Sequence, residues 1–596
     1  MKIRRHYLAI RAAFPSIHED HPFEATTQEL ANLLDCTHRN MVLLLKRMQQ
    51  ENWLTWAPKR GRGNRSSLTF LAGLEEIALQ EAQEMVRKQD LRSALQLLGQ
   101  QEESAKLRGQ FQDWLSSQFG FHTAVQGKRR TDILRFPLPQ HIHTLDPAAI
   151  HYTGESHLVN QLFDGLVQID PKGEQILPQL AHAWEVDASR TLWTFYLRKG
   201  VLFHHGRELE SSDVKYSLER LKALAPQGLY SWVYSDILSM ETPDDTTIRI
   251  QLAKRNEAFL SFLSTNRASI VPQDACEAAG DRFGSRPVGT GPFRLDGHEQ
   301  GVWILEAFKP YFRGRAFLDR VEVWTLADEA LGESSDEQQT FQIMHNARLS
   351  DTAAQRWQQV RQSGMTCKFI TVNDRKDGQL ANPTIRSAID LAINRTELLQ
   401  LLSGDVTEAV NSFWQETSQN RESVSEAVMD WAGIQKELVS SGYNGETLSL
   451  ATIPQYEADA AIIQKVCARS GIPLEIHLIS AEDFKGSARM SADLLLFAIM
   501  LDEHRELRLI DLFKSMQQHA LPIVNDMLER SIGLLLAEPE PERRAELFRQ
   551  IEDQLKERHS LLFLYRKHLK TAFHPSVRGI SLESLGWVRF RDIWFT

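Results

Sequence analysis

A chain of 596 residues is too long for one core, so about three or four lobes are expected. Its 42% hydrophobic and 24% charged residues are those of an ordinary water-soluble protein and exclude fibrous, disordered and membrane-spanning classes. The net charge of −10 is uneven: residues 1–73 hold eleven Lys plus Arg against six Asp plus Glu, a net of +5, which leaves −15 on the remainder, so any nucleic-acid contact points to the head.

Residues 2–14 are expected as a first helix, and residues 15–24 as a connection. The opening MKIRRHYLAIRAAFPS has cations but no apolar run long enough for a signal peptide, and no stretch reaches the ~18 apolar residues of a membrane span; both place the protein in the cytoplasm, away from membranes. Thr26 followed by Glu29 is a capping box, so a helix starts there and runs to about Leu34. Thr37 is the next N-cap, and Met41, Leu44, Leu45 and Met48 recur at helical spacing behind it. Two short strands are expected at 53–56 and 66–71, separated by the Gly-punctuated basic loop PKRGRGNR. Helix, turn, helix, strand, basic loop and strand in that order make a winged helix-turn-helix.

The chemistry of this stretch suits double-stranded DNA. His38, Arg39 and Asn40 fall in the first turn of the second helix, where Arg and Asn can pair bidentately with guanine and adenine edges. Lys46 and Arg47 lie farther along, at phosphate distance. In the wing, Lys59, Arg60, Arg62, Asn64 and Arg65 suit phosphates or a narrow minor groove. A solvated basic face on a winged helix that binds protein is the alternative.

Residues 74–119 are helical in pattern, with apolar runs at Leu74, Ile77, Ala78, Ala82, Met85 and Val86, then Leu91, Ala94, Leu95 and Leu98, then Leu107, Phe111, Trp114 and Leu115. Three roles are open to them: packing on the head, pairing with a second subunit in a homodimer, or carrying a signal. Residues 126–130, QGKRR, read as a linker, so the segment 74–130 is a helical connector. The four cysteines, Cys36, Cys276, Cys367 and Cys467, are scattered and show neither zinc nor disulfide spacing, as expected of small buried residues in a reducing compartment.

From Thr131 strands alternate with helices: strands at 132–136, 166–169, 193–197, 199–203 and 247–252, and helices at 155–163 and at 213–224, the last capped by Ser211 or Ser212. Such alternation argues for an α/β architecture of more than one lobe.

Several motifs in this body occur in a fixed order. HLVNQLFDGLVQID begins at His157, ILPQLAHAWEV and FYLRKGVLFHHGRELESSDVKYSLER follow, then RPVGTGPFRL with its glycines at Gly289 and Gly291, RGRAFLDRVEV, and NPTIRSAIDLAINRTELL from Asn382. Together they resemble the extracellular solute-binding proteins of family 5, over roughly residues 131–596. The head, TTQELANLLDCTHRNMVLLLKRMQQENWLTW with GRGNRSSLTFL, and the ending LGWVRFRDIWF resemble the SgrR family, whose members fuse a winged helix to such a body. The resemblance implies a multidomain regulator: an α-rich winged-helix head at 1–73 and a two-lobed α/β body of the type II periplasmic-binding-protein kind at 131–596. That body would sense a small-molecule effector such as a sugar phosphate, a peptide or another metabolite. One lobe is placed at about 131–367 with 566–596, the other at about 368–565, with CKFITVN and LLFLY as the hinge crossings. The alternative is a transporter-associated binding protein with an accessory winged-helix head.

Ligand candidates also come from the resemblance. In peptide-binding relatives a strand like 493–500 ends in an aspartate that holds the ligand's ammonium group; Asp502 stands in the matching place, but Ile499, Met500 and Leu501 replace the Gly-Trp that precedes it there. An ordinary turn aspartate is the alternative. Trp232 and Tyr234 in LYSWVYSD, and Phe413 and Trp414 in VNSFWQ, are loop aromatics that suit an apolar cleft or plain packing. His204 and His205 fit a structural turn, His141 and His143 lack a third metal ligand, and the glycines at 289 and 291 lack the lysine of a nucleotide loop. No nucleophile–base or paired-carboxylate arrangement stands out, so neither an enzyme nor a cofactor is expected.

Overall fold

Capping residues set the limits of the head's helices in the computed structural model, which describes the chain apart from residues 1, 60–63, 89, 100–104, 117, 139, 171–172, 174, 227, 300, 326–342, 345–357, 403–406, 415–430, 481–482, 574 and 582–586. Helix α1 is Lys2–Ala13 and strand β1 is Pro22–Ala25. Helix α2 (Thr27–Leu33) begins at the full capping box of Thr26 and Glu29, and α3 (His38–Gln50) at Thr37, whose hydroxyl accepts from the Asn40 N–H at 3.2 Å. Between them Asp35 takes a left-handed conformation that makes the turn tight. Strands β2 (Leu54–Ala57) and β3 (Ser66–Phe70) flank the wing and form an antiparallel sheet in the order β1-β3-β2. Strand β1 is a departure from the sequence expectation: its four residues begin with proline and show no alternation, yet Phe23 pairs opposite Leu68 and stacks on Phe70 at 4.9 Å.

Three helices follow: α4 (Leu74–Arg87), α5 (Leu91–Gly99) and α6 (Ala105–Ser116). The polar stretch 126–130, expected as a linker, is instead the turn of a hairpin between β4 (Gly120–Gln126) and β5 (Arg129–Leu138), with Gly127 at φ 63°. A left-handed glycine between Gln126 and Lys128, with Arg129 and Arg130 after it, gives the same polar signature as a linker, which is why the two are alike in sequence. Strand β5 pairs in parallel with Arg320–Thr325, and the sheet runs Phe293–Glu299, Val302–Ala307, Arg320–Thr325, β5, β4.

The chain divides into two units. The first joins Met1–His141 to Asp296–Leu305 and Arg320–Phe341. One hydrophobic core runs through it, from Tyr7, Met41, Leu45 and Phe70 in the winged helix, through Ile77, Ala82 and Phe111 in the connector helices, to Phe119, Val302 and Trp324 at the sheet. Polar pins reinforce it: the Tyr7 hydroxyl donates to the Ala72 carbonyl at 2.7 Å, and the buried Glu81 carboxylate accepts from Arg5 Nε at 3.0 Å.

The second unit joins Ile142–Leu295, Glu306–Asp319 and Gln342–Thr596. It holds a four-stranded antiparallel sheet in the order Ile237–Asp244, Thr247–Leu252, Leu192–Leu197, Ala181–Val186. Helix Ser211–Leu224 packs there; its N-cap is Glu210, in a capping box with Asp213, rather than Ser211 or Ser212. Residues 199–203, expected as a strand, form a turn at Gly200 (φ 75°) and a single bridge from Leu202 to Glu208. A larger mixed sheet contains the parallel pair Leu448–Thr452 and Leu474–Leu478, joined by the crossover helix Glu457–Arg469. Its long strands Gln358–Val372 and Leu561–Phe573 contain the two segments expected as hinge crossings; they are antiparallel neighbours, with Phe369 opposite Phe563. Across that pair Lys368 and Tyr565 both bind the Asp459 carboxylate, the ammonium at 2.7 Å.

The glycines of RPVGTGPFRL are required by close approach. A Cβ on Gly289 would lie 2.1 Å from the Leu162 carbonyl oxygen, and one on Gly291 2.4 Å from the Leu162 carbonyl carbon. His204 locks the loop from the other side: Nδ1 accepts from the Gly289 N–H at 3.2 Å, and Nε2 donates to the Gly291 carbonyl at 3.1 Å.

Candidate nucleic-acid interface

Helix α3 has two faces. Met41, Leu45 and Met48 are fully buried beneath it, while His38, Arg39, Asn40, Lys46 and Arg47 are exposed with Thr37 at its start. The segment carries no acidic residue, so its outer face is basic and polar apart from the exposed Leu43. The helix N-terminus adds its own partial positive charge at His38–Asn40. Among the described residues Arg39 makes no ion pair or hydrogen bond, whereas two wing cations are engaged: Lys59 pairs with Glu24 at 2.8 Å and Arg65 with Glu29 at 3.8 Å. Both wing pairs are exposed and therefore weak and exchangeable for phosphate. Asn64 is exposed beside Arg65 in the wing, and Arg60 and Arg62 lie outside the described residues.

The five ligand candidates of the body fall in the second unit and are brought only partly together. Asp502 is buried and held by Arg508, Nε to Oδ1 at 3.0 Å and Nη2 to Oδ2 at 2.7 Å, and it also accepts from the His504 N–H at 3.0 Å. Burial pushes its carboxyl up, but Arg508 outweighs burial and holds it below the usual carboxylate range. Phe413 is buried edge-on to Phe369 and Phe563, and its N–H donates to Glu552 at 2.9 Å. Tyr234 is buried, its hydroxyl donating to the Ala225 carbonyl. Trp232 and Trp414 are half-buried in the same apolar cluster as Phe413. The Trp232 indole N–H donates to Asp511 at 3.1 Å, and the Arg505 guanidinium lies 4.1 Å from the Trp414 ring centre.

Residues 2–121 match the model described as Sugar transport-related sRNA regulator N-term, and residues 175–509 match Bacterial extracellular solute-binding proteins, family 5 Middle. The chain belongs to the SgrR family, with a family 5 solute-binding body. This SgrR-family chain is 29% identical to the uncharacterized protein YhjP of Bacillus subtilis over the whole of both chains. It is also 29% identical to the HTH-type transcriptional regulator SgrR of Yersinia enterocolitica over 96% of each. Among solved structures it is similar to the periplasmic binding protein DppA from Helicobacter pylori, at 20% identity and a TM-score of 0.66 over 78% of this chain and 98% of that one. NikA from Brucella suis gives 18% identity and a TM-score of 0.66 over 78% and 100%. The body of the SgrR-family chain therefore has the two-lobed α/β fold of those proteins, and the head is a winged helix in a multidomain chain.

Two features of the SgrR-family chain escaped sequence reasoning. Asp511 accepts from both the Tyr230 N–H, at 3.3 Å, and the Trp232 indole, and so ties the segment 230–234 to helix Arg505–Met516. Residues so far apart in sequence give no local signal. Leu43 was hidden differently: it lies among Met41, Leu44 and Leu45 and reads as one more core residue, but its phase on the helix sets it opposite the buried stripe, which the 3.6-residue period could have shown.

Three buried histidines set an acid limit on the SgrR-family fold. Burial lowers His204 and His504 to about 4 and His519 to about 3, so all three are neutral in the folded chain at pH 7. The unfolded chain takes up these protons near pH 6.5, so stability is full above that pH and falls as pH drops toward about 4, by up to ~1.4 kcal/mol per pH unit for each histidine. Denaturant midpoints across that range should show the slope, and His519→Gln should flatten it. A midpoint that is unchanged from pH 7 down to about 5 would rule this out.

Proposed function

We propose that this protein is a cytoplasmic transcription regulator that grips duplex DNA with α3 and the wing and responds to a small molecule taken up by its solute-binding body. The observation that carries the reading is the outer face of α3, where Arg39, Asn40, Lys46 and Arg47 stand exposed and free of acidic neighbours on their own helix. In a helix-turn-helix such a face enters the major groove with its N-terminal residues at the base edges. The wing cations Lys59 and Arg65 supply exchangeable phosphate contacts, with Arg60, Arg62 and Asn64 in the same loop.

For the effector, Trp232 and Trp414 retain partly accessible rings and are the candidates to face it, while Asp502, Phe413 and Tyr234 act by shaping the walls. Asp502 is committed to Arg508, so an ammonium group would have to displace a buried guanidinium to reach it; this favours effectors other than peptides. Binding would shift the chain between two arrangements only by its difference in affinity for them.

Footprinting and mobility shift with the full chain test the DNA reading. Binding should prefer particular duplexes, weaken steeply with salt, and lose roughly 1–3 kcal/mol on Arg39→Ala, about 5- to 150-fold. Equal affinity for selected and random duplexes would refute it. Thermal shift of the full chain against metabolites tests the effector: a binder at about 100 times its Kd should add about 2.7 kcal/mol.

A further inference from the structure

Helix α3 carries one large apolar side chain on its solvent face. Leu43 is 58% exposed, although its neighbours Met41 and Leu45 are fully buried. At 100° per residue the buried stripe of Met41, Leu45 and Met48 faces the core, and Leu43 points almost directly away from it. On that outer face Arg39 and Lys46 lie to one side of Leu43, Asn40 and Arg47 to the other, and Gln50 continues the line, all of them exposed. Leu43 is thus the apolar centre of a basic and polar surface.

A lone exposed leucine needs no explanation in general, but this one sits where the partner's charge is already fixed. Cations on both flanks and no acid on the helix select a polyanion, which rules against a second basic face or an apolar protein groove. On a duplex, Leu43 follows Asn40 by about one turn on the groove-facing side and so comes to the base edges next to those read by the helix N-terminus, and the one apolar group on those edges in the major groove is the thymine C5-methyl.

We propose that Leu43 is a specificity-determining residue that packs on a thymine methyl, next to the bases read by Arg39 and Asn40. The assignment rests on the DNA-binding reading given above. It predicts that thymine is preferred over cytosine at one position of each site, because cytosine offers an amino donor and no methyl to an apolar side chain.

The test uses the full chain and the duplexes it selects from a randomised library. Each thymine inside the footprint is replaced in turn by deoxyuridine, which keeps base pairing and the O4 acceptor and removes only the methyl. Wild type should bind about fourfold more weakly when one particular thymine is replaced, the value of about one buried methyl group. Leu43→Ala should bind thymine and uridine duplexes equally; alanine favours the helix and leaves the buried stripe untouched, so folding is preserved. Selective binding in which no uridine weakens wild type, or in which Leu43→Ala keeps the thymine preference, overturns the assignment alone. Absence of any selective binding by wild type overturns the DNA reading and the assignment with it.

Discussion

Replacing Arg508 with methionine should lower the stability of the second unit by about 3–5 kcal/mol, because it leaves the Asp502 carboxylate buried without its counter-charge. The cost comes from the carboxylate left behind. Asp502 would keep its bond from the His504 N–H, but one neutral donor cannot replace a bidentate guanidinium. His504 beside it is also buried, and in the wild-type chain burial lowers it to about 4, so it carries no charge at pH 7 there. The same reasoning predicts that Asp502→Asn combined with Arg508→Met recovers most of the loss, as the remaining groups are then neutral. Calorimetry of the two variants beside wild type checks this. A double variant as unstable as the single one would show that Arg508 acts through packing, and a single variant within about 1 kcal/mol of wild type would show that the pair is solvated.

The second large effect is expected at Trp324. This ring is almost fully buried, meets Phe119 edge-on at 5.7 Å, and closes the end of the core that begins in the winged helix. Trp324→Ala should cost about 3–5 kcal/mol, the usual range for deleting a buried aromatic. The loss should be felt in α4 to α6 and in the affinity for duplex DNA, although Trp324 lies far from α3 in sequence. Hydrogen exchange distinguishes the outcomes: amides of α4–α6 should exchange faster, while those of Leu561–Phe573 in the other unit should not change. Acceleration confined to residues 320–325 would mean that the core is divided into independent parts.

How much of this was legible in the sequence depended on how local each cause is. The head's helices follow from Thr26, Glu29 and Thr37, whose capping bonds reach only three residues, and the structure places all of them as the spacing demands. The body's motifs carried the fold because turns and close approaches such as Gly289 against Leu162 leave an ordered trail of glycine and polar residues. What local pattern could not show was pairing at a distance. Strand β1 exists because β3 receives it, and the stretch 126–130 is a turn because β4 and β5 find each other. Asp502 looked like a ligand aspartate because nothing in LDEH reveals that Arg508 will fold back onto it from the next helical turn.

The core shared by the winged helix, the connector helices and the sheet has a consequence for how such a chain can be cut and rejoined. Strand β5 pairs from Ile133 to Leu138 with Arg320–Thr325, and Val302 and Trp324 complete an apolar interior whose other members precede residue 120. A head excised after residue 73 or 130 would leave that interior open to water and strip the sheet of its parallel partner. The head is therefore not a portable cassette: grafting it onto another sensor would require its strands Val302–Ala307 and Arg320–Thr325 to travel with it, and recombination that ignored them would leave its core incomplete rather than give a new switch.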